Sequence, residues 1–420
     1  MTFAAHRAGR ALADETELRA YLASLLRLEN IGMLIGAGAS CGAGGKTMAG
    51  VWADFLGTSA GDAKWLLDNS LVDASSVVPR PPPGPPPATA LPPLPPNVEE
   101  LVDSLEIAIM EWTRLGDARE TPAKAARAAL FRAVIRGSVL SDAWWTSRGD
   151  ADASWDGLQD HRAILQKLTS ARQPGQSPPW VFTTNYDLAV EWSAESVDIQ
   201  VMNGFLGLHG RRFSPQSFDL GFRNIQARGE ARFGVYNIFL AKLHGSLTWK
   251  EIEGNFYELP AAQAWPDIND FRSAKTTELS YLVLPRAAKY LQTAGYVLGE
   301  LFRRFAEFLA RPQAALIVAG YGFGDGHINR LLRSALLNPT LQVVVYLPEF
   351  TGDPTATNLP ATVRRLLSLQ NPRLTVVGGG NRAFFSELAK DLPDPAVYDD
   401  DLKELERKLR AADPPASGVP

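Results

Sequence analysis

Short apolar runs alternate along this chain with longer stretches in which apolar residues recur at helical spacing. The short runs, which predict buried strands, lie near Ile31, Trp180, Ile199, Phe239, Tyr281, Ala315, Gln342 and Leu374. Strands that alternate with helices are typical of a parallel sheet covered on both faces. The pattern therefore predicts an α/β fold with a doubly wound parallel sheet.

Most of the predicted helices lie between the first two strands. Residues 1–30 have the spacing of one amphipathic helix that leads into the first strand, and Val51 to Leu56 predict a short helix. Asn97 with Glu100 forms a capping pair at the start of a helix. Two more helices are predicted from Thr121-Pro122 and over Asp160 to Leu168. We therefore predict a helical insertion over residues 51–170, and a sheet domain over residues 1–50 and 171–395.

Two segments have a distinctive composition but contain no candidate site residue. Residues 79–96 contain eleven prolines, and proline favours an extended surface loop over a helix or a central strand. This loop is either a ligand for a proline-recognising partner or a tolerated insertion. Residues 396–420 are predicted to form a C-terminal helix and tail, either packed on its own domain or at an oligomer contact.

Composition narrows the class of protein. The 420 residues carry a net charge of −4 and one cysteine, Cys41. No overall basic field favours nucleic acid, and a single cysteine excludes an intrachain disulfide and a cysteine-rich zinc site. No signal peptide and no run of about 20 apolar residues is present. We expect a soluble cytoplasmic protein.

Four polar or glycine-rich turns each follow a predicted strand. They are residues 36–40 (the first turn), 184–187 (the second turn), 243–246 (the third turn) and 320–325 (the fourth turn). An open parallel sheet binds its ligand outside the carboxyl ends of its strands. We therefore expect the four turns to gather around one nucleotide.

The first turn has the features of a phosphate cradle, because glycines allow close backbone approach and a following helix supplies amide hydrogens. Cys41 holds the place of the third glycine of the dinucleotide fingerprint, and no acidic residue follows on a second strand, so dehydrogenase-type binding is disfavoured. Gly45-Lys46-Thr47 suggests a P-loop, but Ser40 stands where that motif requires glycine.

The second and third turns supply candidate chemistry. Asn185 and Asp187 can hold a water and a polar leaving group, and Asp187 can also cap the next helix. His244 follows an apolar strand and precedes a glycine, so its ring is predicted to project into the crevice, where imidazole accepts a proton near neutral pH. The alternative is a buried histidine that bonds a backbone carbonyl.

Taken together, the turns resemble those of the sirtuin-like superfamily. Gly36-Ala37-Gly38-Ala39-Ser40 resembles its Gly-Ala-Gly-x-Ser loop, and Thr184-Asn185-Tyr186-Asp187 is similar to its Gln-Asn-Ile-Asp. Leu243-His244-Gly245-Ser246 resembles its catalytic His-Gly, and Gly320-Tyr321-Gly322 its late Gly-Ser/Thr-Ser turn. The resemblance implies a Rossmann-like domain that binds NAD.

Departures from the deacylating sirtuins point to another branch. One cysteine cannot build their zinc module, and Gly44-Gly45-Lys46-Thr47-Met48 replaces their Gly-Ile-Pro-Asp-Phe-Arg. The chain is more similar to bacterial sirtuin-like proteins of antiviral defence, and most similar to the subunit paired with a HerA-type hexameric ATPase. That resemblance implies NAD as substrate, no zinc, a homo-oligomer, no membrane, and nucleic acid contacted only through the partner.

The resemblance also assigns roles to residues. His244, Asn185 and Asp187 are the expected catalytic residues of NAD hydrolysis to ADP-ribose and nicotinamide. The expected NAD-binding residues are Gly36, Ala37, Gly38, Ser40, Thr184, Tyr186, Gly320, Tyr321, Gly322, Phe323 and Asp325. A non-catalytic NAD or ADP-ribose sensor that regulates an ATPase is the alternative. A deacylase would need to consume an acetylated peptide together with NAD. A nuclease is not indicated, because the sequence shows no cluster of metal-binding carboxylates that would carry that activity.

Overall fold

A computed structural model of the chain describes residues 3–7, 9–80, 91–146, 156–172, 176–222, 236–279, 281–283 and 291–394. The middle of the proline-rich loop and the predicted C-terminal helix lie outside these described residues. The described strands are β1 (Ala4–Arg7), β2 (Arg10–Ala11), β3 (Asn30–Ile35), β4 (Trp180–Thr183), β5 (Gln200–Met202), β6 (Phe205–Leu206), β7 (Arg211–Phe213), β8 (Asn237–Lys242), β9 (Gly245–Ile252), β10 (Asn255–Glu258), β11 (Tyr281–Val283), β12 (Ala314–Ala319), β13 (Gln342–Tyr346) and β14 (Leu374–Gly378).

The helices fill the connections between these strands. They are α1 (Glu15–Leu25), α2 (Met48–Thr58), α3 (Ala60–Asp68), α4 (Ala74–Val77), α5 (Val98–Leu115), α6 (Glu120–Ser138), α7 (Asp142–Thr146), α8 (Gln159–Ser170), α9 (Ala189–Glu195), α10 (Ala261–Arg272), α11 (Leu291–Ala310), α12 (Gly326–Ala335), α13 (Ala361–Ser368) and α14 (Phe385–Asp391). Short 3-10 helices cover Ala37–Ala43, Asp156–Leu158, Pro215–Asp219 and Gly380–Ala383.

The main sheet is mostly parallel and doubly wound, as the alternating pattern predicts. Among the described residues its strand order is β2-β1-β14-β13-β12-β3-β4-β8-β5. The strands from β14 to β5 in this order pair in parallel, and only β1 and β2 run antiparallel at one edge. The chain leaves β3 toward β4 and later returns to β12 on its other side. β3 therefore marks the topological switch point, where such sheets bind ligands.

Alternate residues of the strands enter two different cores. On one face Leu34, Phe182 and Val318 pack with α11, whose Phe305 and Phe308 are fully buried. On the other face Met33, Val181 and Ile317 pack with α1, α8, α9 and α14. A strand buried on both faces is apolar throughout, which explains the uninterrupted runs in the sequence.

The helices between β3 and β4 are divided between two places. α2, α3, α5, α6 and α7 form a separate helical core together with α10. α8, the last helix of the predicted 51–170 insertion, packs instead on the main sheet through Ile164, Leu165 and Leu168. Asn97 caps α5 as its sequence predicts, since its side-chain oxygen accepts the Glu100 amide at 3.5 Å.

The prediction of one helix over residues 1–30 is wrong in its extent. Residues 4–7 form β1, which pairs antiparallel with β14, and β2 follows it. The helix begins only at Glu15, because the Asp14 side chain caps it by accepting the Glu17 amide at 2.9 Å. Pairing with the open edge of the sheet therefore takes the first residues away from the helix.

A second, five-stranded sheet is formed by strands on both sides of the third turn in sequence and was not predicted from the sequence. Its order is β11-β9-β10-β7-β6, and all of its pairs are antiparallel. Glu253 and Gly254 both have positive φ, at 50° and 74°, between β9 and β10. This is the two-residue turn that matches the twist of a hairpin. The strand predicted near Tyr281 exists as β11, but it belongs to this sheet.

Candidate active site

The four turns lie at the carboxyl ends of β3, β4, β8 and β12, around the switch point of the sheet. β3 is flanked by β4 on one side and by β12 on the other, and β8 lies beyond β4. The first turn is hydrogen-bonded to the second and to the fourth, and the fourth to the third. The second and third turns meet through the rings of Tyr186 and His244, so the four turns form a closed ring of contacts. The expectation that they gather at one edge of the sheet agrees with this geometry.

The first and fourth turns are in direct backbone contact. The Gly38 amide donates to the Gly320 carbonyl at 2.9 Å, and the Gly36 amide donates to Ala319 at 3.0 Å. A Cβ added to Gly36 would lie 2.5 Å from the Gly320 oxygen. Gly320 has a φ of +66°, and a Cβ there would lie 2.3 Å from the Ala39 amide nitrogen. These glycines are therefore required for packing between the two turns, besides any approach of a ligand.

The first and second turns share a buried network of hydrogen bonds. Asn185 donates through its side-chain nitrogen to the Gly36 carbonyl at 3.2 Å and to Ser40 Oγ at 3.0 Å. Ser40 in turn donates to Asp187 Oδ2 at 2.7 Å. The Thr184 amide donates to the Ile35 carbonyl at 3.1 Å. Asn185, Ser40 and Asp187 are therefore fixed relative to one another.

One atom of this network stands out. The Asn185 side-chain oxygen is buried and accepts no hydrogen bond from any residue that the structure describes. Leaving a buried acceptor unsatisfied costs about 1–3 kcal/mol, so this oxygen calls for a donor from a water molecule or a ligand. The Asp187 oxygens, by contrast, accept from Ser40 and from the Ala189 amide at 3.1 Å, so Asp187 also satisfies the first amide of α9, whose N-cap residue is Leu188. Burial raises the pKa of Asp187, against the nearby positive charge of Lys242.

The third and fourth turns meet through His244 and Asp325. His244 Nε2 lies 2.9 Å from Asp325 Oδ2, and both side chains are largely buried. The other carboxylate oxygen of Asp325 caps α12 by accepting the His327 and Ile328 amides at 2.6 and 3.2 Å. Burial raises the pKa of Asp325, but the hydrogen bond from His244, the charge of His244 when it is protonated, and the Ile328 and His327 amides together lower it.

This pairing decides which ring nitrogen carries a proton. A carboxylate accepts hydrogen bonds only, so His244 Nε2 carries a hydrogen and Nδ1 is the acceptor atom of a neutral ring. The His244 ring also lies near Tyr186, with ring centroids 6.4 Å apart. A histidine oriented in this way is suited to act as a general base.

The fourth turn is held in its shape by Asn329 of α12. Asn329 donates to the Phe323 carbonyl at 2.8 Å and accepts from the Tyr321 hydroxyl at 3.2 Å. Phe323 itself has a positive φ of 56°, which is uncommon for a residue with a side chain and needs support from its surroundings. Gly322 has open space where a Cβ would lie.

The remaining predicted residues are placed as follows. The first turn enters a 3-10 helix over Ala37–Ala43 instead of the expected α-helix, and the Ala37 carbonyl lies 3.7 Å from Cys41 Sγ. The Thr184 amide donates to Ile35 at the end of β3, and the Tyr186 carbonyl accepts the Leu247 amide of β9. The Tyr321 hydroxyl donates to the Asp325 carbonyl at 3.3 Å and to Asn329 of α12. Asp325, expected at the nucleotide, pairs with His244.

Sequence reasoning missed three polar residues that support the turns: Lys242, Glu191 and Asn329. Each is a polar or charged residue at a position where the surrounding sequence predicts either an apolar residue or a helix cap. Lys242 ends an otherwise apolar strand two residues before His244, and this was the available signal. The described residues contain no group of three or more His, Cys, Asp or Glu side chains that could hold a metal ion.

The comparisons with known proteins agree with this geometry. No curated protein matches the chain. In the part of the chain that the structure describes, no helix has the length and apolar character needed to span a bilayer. A family model described as SIR2-like domain matches residues 179–358, which hold the second, third and fourth turns. The match supports a SIR2-like domain over these residues, which suggests an activity related to NAD.

Proposed function

We propose that the protein hydrolyses NAD⁺ at the bond between nicotinamide and ribose. The observation that carries this proposal is the closed ring of turns, which joins the His244–Asp325 pair to a buried, unsatisfied amide oxygen on Asn185. Both lie at the switch point of a domain that carries the SIR2-like match. A base and an acceptor at that point suit cleavage of a bound dinucleotide better than binding alone.

In the proposed reaction the C1′–N bond breaks and its electron pair goes to the pyridinium nitrogen, so that neutral nicotinamide leaves. Positive charge builds on the ribose ring, as in glycoside cleavage. Water then adds to C1′. The Nδ1 atom of His244 takes a proton from that water or from a ribose hydroxyl. Asp325 stabilises the positively charged imidazole ring that results.

The second turn supplies orientation. The Asn185 oxygen accepts from the carboxamide of nicotinamide or from the attacking water, which satisfies the acceptor that the protein leaves open. Asp187 lies in the same turn as Asn185, and its carboxylate accepts hydrogen bonds from Ser40 and from the Ala189 amide. The first turn then faces the diphosphate, and residues 320–323 lie toward the adenosine.

We further propose that NAD depletion makes this chain an effector of antiviral defence. Its proposed assembly is a homo-oligomer that works with a HerA-type hexameric ATPase, through which nucleic acid is contacted. These parts of the proposal rest on the sequence resemblance described above and are tested separately from the chemistry.

The test is release of nicotinamide from NAD⁺ by the pure protein, alone and with a HerA-type partner. We expect turnover by the wild type and a loss on the order of 10²- to 10⁴-fold in His244→Ala and Asn185→Ala, while both variants remain folded at the assay temperature. Full turnover in both variants would overturn the assigned roles. Tight NAD⁺ binding without turnover in either condition would favour the alternative, a non-catalytic sensor.

A further inference from the structure

A buried lysine supports the second turn from the side opposite the first turn. Lys242 is the last residue of β8, and its side chain is fully buried. Its ammonium group donates to the Asp187 carbonyl, to Glu191 Oε1 at 2.9 Å and to the Tyr186 carbonyl at 3.4 Å. An ammonium group has three donors, so all of them are used on the second turn and on α9.

The core does not explain this charge. Its strand neighbours Leu240 and Ala241 are fully buried apolar residues, and an apolar side chain at position 242 would fill the same space. A buried ion pair often stabilises a fold no more than a well-packed apolar pair. What Lys242 adds is a directed grip on two consecutive carbonyls, which an apolar residue cannot provide.

Those carbonyls belong to Tyr186 and Asp187, directly after Asn185. The Tyr186 carbonyl also accepts the Leu247 amide at 3.1 Å. The turn is therefore held on one side by Gly36 and Ser40 and on the other by Lys242 and β9. Glu191 balances the charge, and its side chain lies in the first turn of α9, where it is largely buried.

We propose that Lys242 is a positioning residue, which fixes the backbone of the second turn so that Asn185 and Asp187 keep the orientation needed for NAD⁺ cleavage. Glu191 serves it as counter-ion. This inference rests on the proposed function, because the orientation matters only if the second turn handles the substrate.

Two variants separate positioning from stability. Lys242→Met keeps the aliphatic stem but leaves Glu191 buried without its cation, which is strongly destabilising. The double variant Lys242→Met/Glu191→Gln removes both charges and is expected to recover most of the thermal stability. Lys167→Met is the matched control, since the Lys167 ammonium donates to two carbonyls, Ala389 and Leu392, both at 2.7 Å, and contacts none of the four turns.

We expect the double variant to fold with a kcat for nicotinamide release lower by on the order of 100-fold, because small misplacement of a substrate-orienting group has effects of this size. KM should change less than kcat, and Lys167→Met should keep wild-type kcat. Wild-type kcat in the double variant would overturn the proposal and leave Lys242 a purely structural residue.

Hydrogen exchange followed by mass spectrometry gives a readout without NAD⁺. Amides of residues 186–189 should exchange faster in the double variant than in the wild type and the Lys167→Met control. Equal exchange in all three proteins would refute the positioning role by itself. A wild-type protein that releases no nicotinamide would overturn the proposed function, and the exchange comparison would still decide whether Lys242 fixes the turn.

Discussion

Asp325→Asn tests whether Asp325 sets the proton state of His244. In the wild type, Asp325 Oδ1 caps α12 while Oδ2 lies 2.9 Å from His244 Nε2. Asparagine is as good a cap as aspartate, so its oxygen is expected to keep the His327 and Ile328 amides. Its NH₂ group then faces Nε2 and can only donate to it. The histidine must move its proton to Nδ1, and the acceptor atom is lost.

The size of the effect follows from the interaction that is replaced. A hydrogen bond to a charged group contributes about 1.5–3 kcal/mol, and each 1.36 kcal/mol is about tenfold in rate. Loss of this bond alone therefore predicts about 10- to 150-fold lower kcat. Reversal of the tautomer adds to that, and an equivalent change in a catalytic triad costs about 10⁴-fold. We expect kcat of Asp325→Asn to be lower than that of the wild type by between about 10-fold and about 10⁴-fold, with little change in KM.

The assay is steady-state release of nicotinamide, with thermal unfolding recorded for each protein. Asp14→Asn is the matched control, because Asp14 caps α1 through the Glu17 amide in the same way and contacts no turn of the site. It should keep wild-type kcat. If Asp325→Asn turned over NAD⁺ at the wild-type rate, the His244–Asp325 pair would have no part in the chemistry.

Two further predictions concern stability. Gly320→Ala should lower the free energy of unfolding by about 2 kcal/mol or more, because its φ of +66° disfavours a side chain and its Cβ meets the Ala39 amide; Gly324→Ala, where a Cβ has open space, should unfold like the wild type in urea. His161 is buried with neither ring nitrogen bonded among the described residues, and burial lowers its pKa from 6.5 to about 4. The unfolded state therefore binds more protons between these values, so this histidine destabilises the fold as pH falls from 6.5 to 4, by about 1.4 kcal/mol per pH unit. The free energy of unfolding in urea should therefore fall more for the wild type than for His161→Phe as the pH is lowered from 6.5 to 4. If the difference between the two proteins did not change with pH, His161 would not have the lowered pKa.

The parallel sheet could be predicted because its signal is local. Strands such as β3 and β12 are buried on both faces, and their apolar runs stand out from any helical spacing. The second sheet could not be predicted in the same way. β6 has two residues and β10 reads Asn-Phe-Tyr-Glu, so neither has a run long enough to separate it from a loop. The local signal for this sheet in the sequence is the Glu253-Gly254 dipeptide between β9 and β10, because a glycine readily adopts the positive φ of a hairpin turn.

The four turns were predicted to gather at one site, but which of them contact one another depends on the order of the strands. His244 and Asp325 are 81 residues apart, and they follow β8 and β12, which are separated in the sheet by β3 and β4. No spacing in the sequence gives that contact. The same holds for Lys242, whose partners Asp187 and Glu191 lie on the connection that follows β4, the strand beside β8 in the sheet. Sequence motifs therefore give the types of residue in the site, and sheet topology decides which of them act together.

The ring of contacts predicts that substitution of the glycines of the site has effects beyond their own turn. Gly36 and Gly38 bond the fourth turn, the fourth turn carries Asp325, and Asp325 holds His244. A side chain at Gly36 would therefore displace the histidine, although the two residues follow strands that are not neighbours in the sheet. Because each turn is fixed by two others, a change in any one is transmitted around the ring. Substitutions in different turns should for this reason have effects on kcat that do not add, even where the substituted side chains do not touch.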